Sequence, residues 1–260
     1  MRSTIKLSSH LNIDRKIQGH MYKGKTFIGI IPARSGSKVV PDKNIRAFLG
    51  KPLMAWTILA ALESGVLDEV FVSTDSEKYA QVAREYGASA PFLRPPGLSG
   101  DESPASEYVL HALTGYRERQ NRTFDYFILL QPTSPLRTPA HIRDGVRLAV
   151  DNDLASVVSF SPYDVNIRMV GGLSGDMSLS SFNPYNSPND TLRQDGERLY
   201  MINGMIYIGR CNEYAQTKSF YGPGGMAMII DGKHMIDIDD ETDFSIAEYL
   251  AKQKRGGSLI

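Results

Sequence analysis

Two clusters near opposite ends of the chain carry the residue types that phosphate chemistry needs. The first is the run Ile30-Ile31-Pro32-Ala33-Arg34-Ser35-Gly36-Ser37-Lys38-Val39-Val40-Pro41-Asp42-Lys43-Asn44. Small residues at its centre let main-chain N–H groups approach phosphate oxygens, and Arg34, Lys38 and Lys43 add fixed positive charge. A triphosphate suits such a loop; a basic surface turn is the plainer alternative. The second cluster is Ile236-Asp237-Ile238-Asp239-Asp240. In an extended segment, Asp237 and Asp239 point one way while Ile236 and Ile238 point the other, towards a core. Paired carboxylates are hard oxygen ligands of the kind Mg²⁺ takes alongside substrate phosphates and water. The same acids could instead charge the amino terminus of a following helix.

Two further residues stand where strands should end, and a third lies in a stiff loop. Gln131 follows the apolar run Tyr126–Leu130 and precedes prolines that stiffen the chain. A neutral amide there suits an uncharged polar edge of a ligand, or a hydrogen bond within the turn. Asp75 closes Val72-Ser73-Thr74-Asp75, where it or Thr74 can cap a helix. Arg94 sits in the stiff loop Phe92-Leu93-Arg94-Pro95-Pro96, open to a phosphate, a base or solvent.

The elements that must hold these groups alternate. Phe27–Ile31, Glu69–Ser73, Tyr126–Leu130 and Ala155–Phe160 are apolar, strand-length runs. Between them Pro52–Ser64, Ser76–Tyr86, Ser103–Arg119 and Pro139–Asn152 show helical spacing, with Gly65 and Gly87 as stops. That order implies an α/β fold with a mostly parallel, doubly wound sheet, whose ligands gather at the carboxyl ends of the strands. The pattern breaks at 161–199, which is rich in Gly, Ser, Asn, Pro and Asp; a stretch of that length is expected to be functional or to rest on a partner. Met205–Ile208 and Met226–Ile230 resume as strands, and Asp240–Lys254 closes as a helix. The first 25 residues are polar and mixed, and are expected to be a flexible extension ahead of one domain over 26–260.

Composition narrows the class. The 260 residues carry 29 Lys plus Arg and 29 Asp plus Glu. A formal charge of zero argues against general nucleic-acid binding, which draws on a basic excess. The single cysteine, Cys211, cannot form an intramolecular disulfide, and no Cys/His spacing suggests zinc. No apolar run approaches the roughly 20 residues of a spanning helix, so no membrane partner is expected and the cytoplasm is the simplest compartment. The first strand is not followed by G-x-G-x-x-G, which argues against a nicotinamide dehydrogenase.

Taken together and in order, the motifs resemble those of the acylneuraminate cytidylyltransferases. The matching segments are the basic loop through Asn44, Val72–Asp75, Leu93-Arg94-Pro95, Leu130-Gln131-Pro132-Thr133-Ser134-Pro135-Leu136-Arg137, Asn203-Gly204-Met205-Ile206-Tyr207 and Ile236–Asp239. The resemblance implies a Rossmann-like fold of the nucleotide-diphospho-sugar transferase type. It also implies a Mg²⁺-dependent attack on CTP by the anomeric hydroxyl of a sialic-acid-like, nine-carbon 2-keto acid. On the resemblance, Ala33, Arg34, Ser35, Gly36, Lys38, Lys43 and Asn44 form the nucleotide loop. Arg94 and the Asp101–Ser106 loop, with Ser103 and Ser106, lie beside the nucleotide. Gln131, Arg168 and Arg193 face the sugar, and Asp237 and Asp239 hold the metal. Arg34, Lys43, Asp237 and Asp239 would carry catalysis. No histidine falls in any motif, which leaves an aspartate or a metal-bound hydroxide as base. Residues 161–199 match a dimerisation segment that reaches the partner's active site, so a homodimer is expected. Val39, Asp42 and Met201 depart from the family pattern, and legionaminic or pseudaminic acid stand beside N-acetylneuraminic acid as acceptors. Other acceptors (an eight-carbon keto acid, a sugar phosphate) and a non-catalytic nucleotide-binding module are the alternatives.

Overall fold

The computed structural model describes residues 22–100, 103–163, 171–172, 175, 183–184, 199–232 and 235–255. Its centre is a six-stranded sheet. The chain enters it through β1 (Phe27–Pro32), every residue of which is buried except the last. β1 lies parallel between β4 (Glu69–Ser73) and β5 (Tyr126–Leu129), with Ile30 facing Phe71 on one side and Leu129 on the other. Continuous apolar runs follow from that position, because a central parallel strand is covered on both faces. The remaining strands are β6 (Ser156–Pro162), β9 (Tyr200–Arg210) and β10 (Gly225–Ile229), and the order across the sheet is β10-β6-β9-β5-β1-β4.

The sheet is mixed. β9 runs antiparallel to both of its neighbours, β5 and β6, while β10 is parallel to β6. β9 is also longer than the run Met205–Ile208 implied, because its amino-terminal half is polar or exposed. Pairing with β6 slips between Val158 and Phe160. Gly204 takes up that irregularity at φ 72, a value that favours glycine. Asn203 and Ser159 fill the broken ladder: Asn203 Oδ1 accepts from Met205 N (3.1 Å), and Ser159 Oγ accepts from Ile206 N (2.8 Å).

Helices cover both faces. α1 (Leu53–Ser64), α2 (Glu77–Glu85) and α4 (Pro139–Asp151) pack on one, where Met54, Ile58, Tyr79, Ile142 and Val146 meet Phe27, Ile31, Val72 and Ile128. α3 (Ala105–Gln120) and α5 (Cys211–Thr217) pack on the other, where Val109, Tyr116 and Tyr214 meet Ile28, Ile30, Phe71 and Phe127. A third, smaller cluster joins Phe48, Leu53 and Leu136 to Ile238 and to Phe244 and Ala247 of α6 (Glu241–Arg255). A short hairpin, β2 (Ala47–Phe48) with β3 (Lys51–Pro52), supplies Phe48. β7 (Gly171–Gly172) pairs with β8 (Asn183–Pro184) apart from the main sheet.

Two expectations change here. The cap of α2 is Ser76, whose hydroxyl accepts from Tyr79 N, and neither Thr74 nor Asp75 takes that place. The folded body also begins before residue 26. Tyr22 and Lys25 form a bridge, the Tyr22 hydroxyl donates to Asp151 (3.1 Å), and Lys23 pairs with Asp151 (2.8 Å). Among the described residues no helix is long and apolar enough to cross a membrane.

Candidate active site

The carboxyl ends of β1, β4 and β5 open into a cleft of about 210 Å³. Its lining includes Arg34, Ser37, Lys43 and Asn44 from the loop after β1, Arg94 and Ser103 from the segment after β4, and Gln131, Pro132 and Thr133 after β5. The strands end together because their registers are matched, so loops distant in sequence meet above the sheet.

The loop after β1 is braced from within and from α2's approach. Asn44 is 7 % exposed and donates through Nδ2 to Arg34 O (3.1 Å), closing the loop on itself. Asp75 accepts from Ser35 N (2.7 Å) and from Ser35 Oγ (2.8 Å). Burial alone would raise the Asp75 carboxyl; the Ser35 amide and hydroxyl outweigh it and hold the carboxyl below its usual value. Ser35 is therefore a fastening of the loop. Ala33 is fully buried, Gly36 and Lys38 are exposed on the loop, and none of these, nor Ser35 or Ser106, belongs to the cleft wall.

Arg94 is the most constrained cation in the cleft. It is 4 % exposed, and its Nε and Nη2 have no hydrogen-bond partner among the described residues. Its guanidinium lies 5.2 Å from the centre of the Tyr108 ring. Burial lowers its pKa, with Asp75 and Tyr108 opposing. Burial also pushes the Tyr108 hydroxyl up to about 12. An unsatisfied buried donor costs about 1–3 kcal/mol, and an anion or carbonyl oxygen brought into the cleft would satisfy both nitrogens. Tyr108 was not marked by the sequence as a site residue. Its signal was there, an aromatic in the first turns of a helix that follows the Ser103 loop, but it reads equally as core.

The acidic pair meets the basic loop. Ile238 is fully buried in the third cluster, while Asp237 and Asp239 on either side are exposed. The alternation thus holds without a β-ladder: the segment is irregular, fixed by Ile238 N donating to Thr133 O (2.9 Å) and by the Ile238 side chain. Burying that side chain contributes roughly 1.5–3 kcal/mol towards holding it there. Lys43 spans the gap to the loop, with Nζ 2.6 Å from Ile238 O and 4.0 Å from Asp239 Oδ1. Partial desolvation and then the like charge of Asp237 raise the Asp239 carboxyl, and Lys43 opposes them. Asp237 faces the Gln131 end: a side chain on Gly204 would meet Gln131 Oε1 at 2.9 Å, Ser134 Oγ at 3.2 Å and Asp237 Oδ2 at 3.7 Å. Beneath them the buried Arg137 donates to Gln131 O (2.7 Å), Thr57 Oγ1 (2.9 Å) and Met205 O, and so fixes the Gln131 turn against β9.

Among the described residues no three or more His, Cys, Asp or Glu side chains gather as a metal cage. Two exposed, mutually repelling carboxylates beside a phosphate-sized cleft do fit Mg²⁺, which needs only one or two such ligands with substrate oxygens and water. Arg168 and Arg193 lie outside the described residues, as do Asp101 and most of 161–199.

A family model for cytidylyltransferases matches residues 28–221. The chain belongs to the cytidylyltransferase family. It is 38 % identical over 229 residues to the N-acylneuraminate cytidylyltransferase of Escherichia coli O18:K1:H7, a match that takes in 87 % of this chain and 52 % of that protein. It is 37 % identical over 224 residues to the CMP-N,N'-diacetyllegionaminic acid synthase of Legionella pneumophila, covering 86 % of this chain and 95 % of the relative. The chain thus spans about half the length of the first relative and nearly all of the second. Among solved structures it resembles a CMP:2-keto-3-deoxy-manno-octonic acid synthetase complexed with CTP, with a TM-score of 0.65, 17 % identity and coverage of 88 % of this chain and 99 % of the other. That likeness is one of fold. It agrees with the mixed, mostly parallel sheet and the helices on its two faces. The cleft of this cytidylyltransferase-family chain is therefore the candidate active site.

Proposed function

We propose that the chain transfers CMP from CTP to the anomeric hydroxyl of a sialic-acid-like nine-carbon 2-keto acid, with release of pyrophosphate. The observation that carries this reading is the meeting of Lys43 with Ile238 and Asp239 at the edge of a cleft that also contains Arg34 and Arg94. Cations from the amino-terminal loop line a polyanion-sized space, and Lys43 links its edge to Asp239 of the acidic pair from far along the chain. The names of the relatives support a nonulosonic acid as acceptor.

In the reaction the acceptor oxygen forms a bond to the α-phosphorus as the bond to pyrophosphate breaks, and the hydroxyl proton leaves to a base. Negative charge grows on the phosphoryl and leaving-group oxygens. Arg34, Lys43 and Arg94 stabilise it best by being in place beforehand, as the bracing by Asn44 and Asp75 provides. Arg94's two unpartnered nitrogens suit the nucleotide, and the Gln131 amide suits the neutral hydroxyl or amide edge of the acceptor. Asp237 and Asp239 would hold Mg²⁺, which supplies charge neutralisation for the phosphates. Either of these aspartates, or another group, could take the proton. Ser103 and Ser106 are proposed nucleotide neighbours, and Arg168 and Arg193 are proposed sugar contacts on the family resemblance. A homodimer and a cytoplasmic location, where CTP is supplied, complete the reading.

The test is turnover of CTP with Mg²⁺ across N-acetylneuraminic, diacetyllegionaminic and pseudaminic acids, an eight-carbon keto acid and a sugar phosphate. Mass spectrometry of the CMP conjugate and pyrophosphate release are the readouts. A conjugate with a nine-carbon acid is expected, and Asp239→Asn should lower turnover by about 100-fold or more with an unchanged melting temperature. Product with only the eight-carbon acid or the sugar phosphate would replace the acceptor. CTP binding with no product from any acceptor would favour a nucleotide-binding module.

A further inference from the structure

Lys43, the cation that joins the cleft to the acidic pair, opens a 3₁₀ turn (Lys43–Ile45), and the residue before it sets that turn. Asp42 stands in the left-handed region at φ 52. There its main-chain oxygen accepts from Ile45 N (2.9 Å) and Arg46 N (3.0 Å). Its carboxylate reaches out of the loop to α2. Oδ1 accepts from the Tyr79 hydroxyl at 2.9 Å, and Oδ2 takes the Lys78 ammonium at 3.1 Å. The Tyr79 ring is 1 % exposed and packed in the main core, so its hydroxyl is a fixed point; Lys78 is an exposed surface partner. Lys43 then sends its own side chain the other way, to Ile238 and Asp239. Two neighbouring residues thus tie the loop to α2 on one side and to the acidic segment on the other.

We infer that Asp42 and Tyr79 are a positioning pair that sets where the Lys43 ammonium stands at the cleft edge. The inference rests on the proposed role of Lys43 in CTP chemistry. Neither residue of the pair lines the cleft, so neither is catalytic. A turn needing only left-handed backbone is served by glycine; Asp also permits that backbone and adds a carboxylate that can find the buried hydroxyl. Without the bond, the 3₁₀ turn keeps its own main-chain contacts but loses its reference to the core, and Lys43 samples positions away from the phosphates.

The test uses the full-length chain with CTP, Mg²⁺ and the best acceptor of the panel above. Tyr79→Phe keeps the packed ring and removes one hydroxyl. Asp42→Gly keeps the backbone freedom and removes the carboxylate. Asp42→Asn keeps both left-handed tolerance and a bonding oxygen. The first two should raise KM for CTP about tenfold, in the range of coupling between linked residues, with acceptor KM unchanged. Asp42→Asn should recover most of that loss. In a Lys43→Ala background Tyr79→Phe should have no further effect, because the group it positions is gone. A tenfold effect that persists in that background, or a lower melting temperature with no change in KM, would overturn the inference. Lys43→Ala by itself reports on the parent reading: unchanged CTP kinetics in that single variant would remove Lys43 from the chemistry, and the positioning role with it. Normal loss in Lys43→Ala but none in Tyr79→Phe would sink only the pair.

Discussion

Asp75 places both carboxylate oxygens on Ser35, one on the amide and one on the hydroxyl. These bonds outweigh burial and depress its pKa. A depressed carboxyl stabilises the fold above its unfolded pKa of about 3.9, and that contribution disappears as pH falls through the lower folded value. The fastening of the phosphate loop therefore persists at neutral and mildly acidic pH. Asp75→Asn should lose about 1 kcal/mol at pH 7, the size of a net hydrogen bond. The variant should also lose less stability than the parent between pH 5 and 3. Urea melts of both proteins at several pH values measure this, and parallel pH profiles would contradict it. The sequence offered Asp75 as a helix cap, because Asp before a helical run is a cap by type. Ser76 fills that place, and only the return of β1 beside β4 shows why Asp75 is left to face Ser35.

At the scale of elements, α3 is joined to the Arg94 loop through one glycine. A side-chain carbon on Gly115 would sit 2.4 Å from Phe92 Cζ. Phe92 packs edge-on against Tyr116 and His111 and at a tilt against Phe71 of β4, with little room to retreat. Alanine normally gains about 1 kcal/mol over glycine inside a helix. Here an overpacking cost of about 1–3 kcal/mol opposes that gain, and Gly115→Ala should be destabilising by up to about 2 kcal/mol net. Calorimetry decides it; a raised melting temperature would mean that Phe92, and the loop that bears Arg94, can move aside. The third cluster works by the same logic of attachment. Ile238 enters it as the apolar tooth between two aspartates, so α6 and the metal-ligand candidates are fixed by one small core.

On the whole molecule, apolar side chains are exposed at the start of β9, where it pairs with the end of β6, and on the edge strand β10. Tyr163, Tyr200, Met201 and Ile202 are 41, 44, 36 and 40 % exposed, and Met226 and Ile229 on the edge strand β10 are 44 and 52 % exposed. Large apolar side chains exposed on neighbouring strands are candidates for contact with another surface. With the proposed homodimer, sedimentation at micromolar concentration should give twice the chain mass, and Tyr200→Glu with Met201→Glu should shift it to the monomer. A monomer from the parent chain throughout that range would remove the dimer from the reading.

What the residues determined alone was local. Apolar runs such as Phe27–Ile31 and Tyr126–Leu130 needed covering on both faces whatever lay beside them. Gly65 ended α1 because glycine takes the left-handed cap with no Cβ penalty, and the spacing of Asp237 and Asp239 about Ile238 put the acids on one side. These depend on energies set within a few residues. Tertiary structure decided which of those parts meet. The antiparallel course of β9, the bond from Lys43 to Ile238 across 195 positions, the Tyr108 ring against Arg94 and the Tyr79 hydroxyl on Asp42 follow from strand order and shared burial. No short window of sequence contains that information, since each contact is the by-product of closing the sheet and filling its two faces.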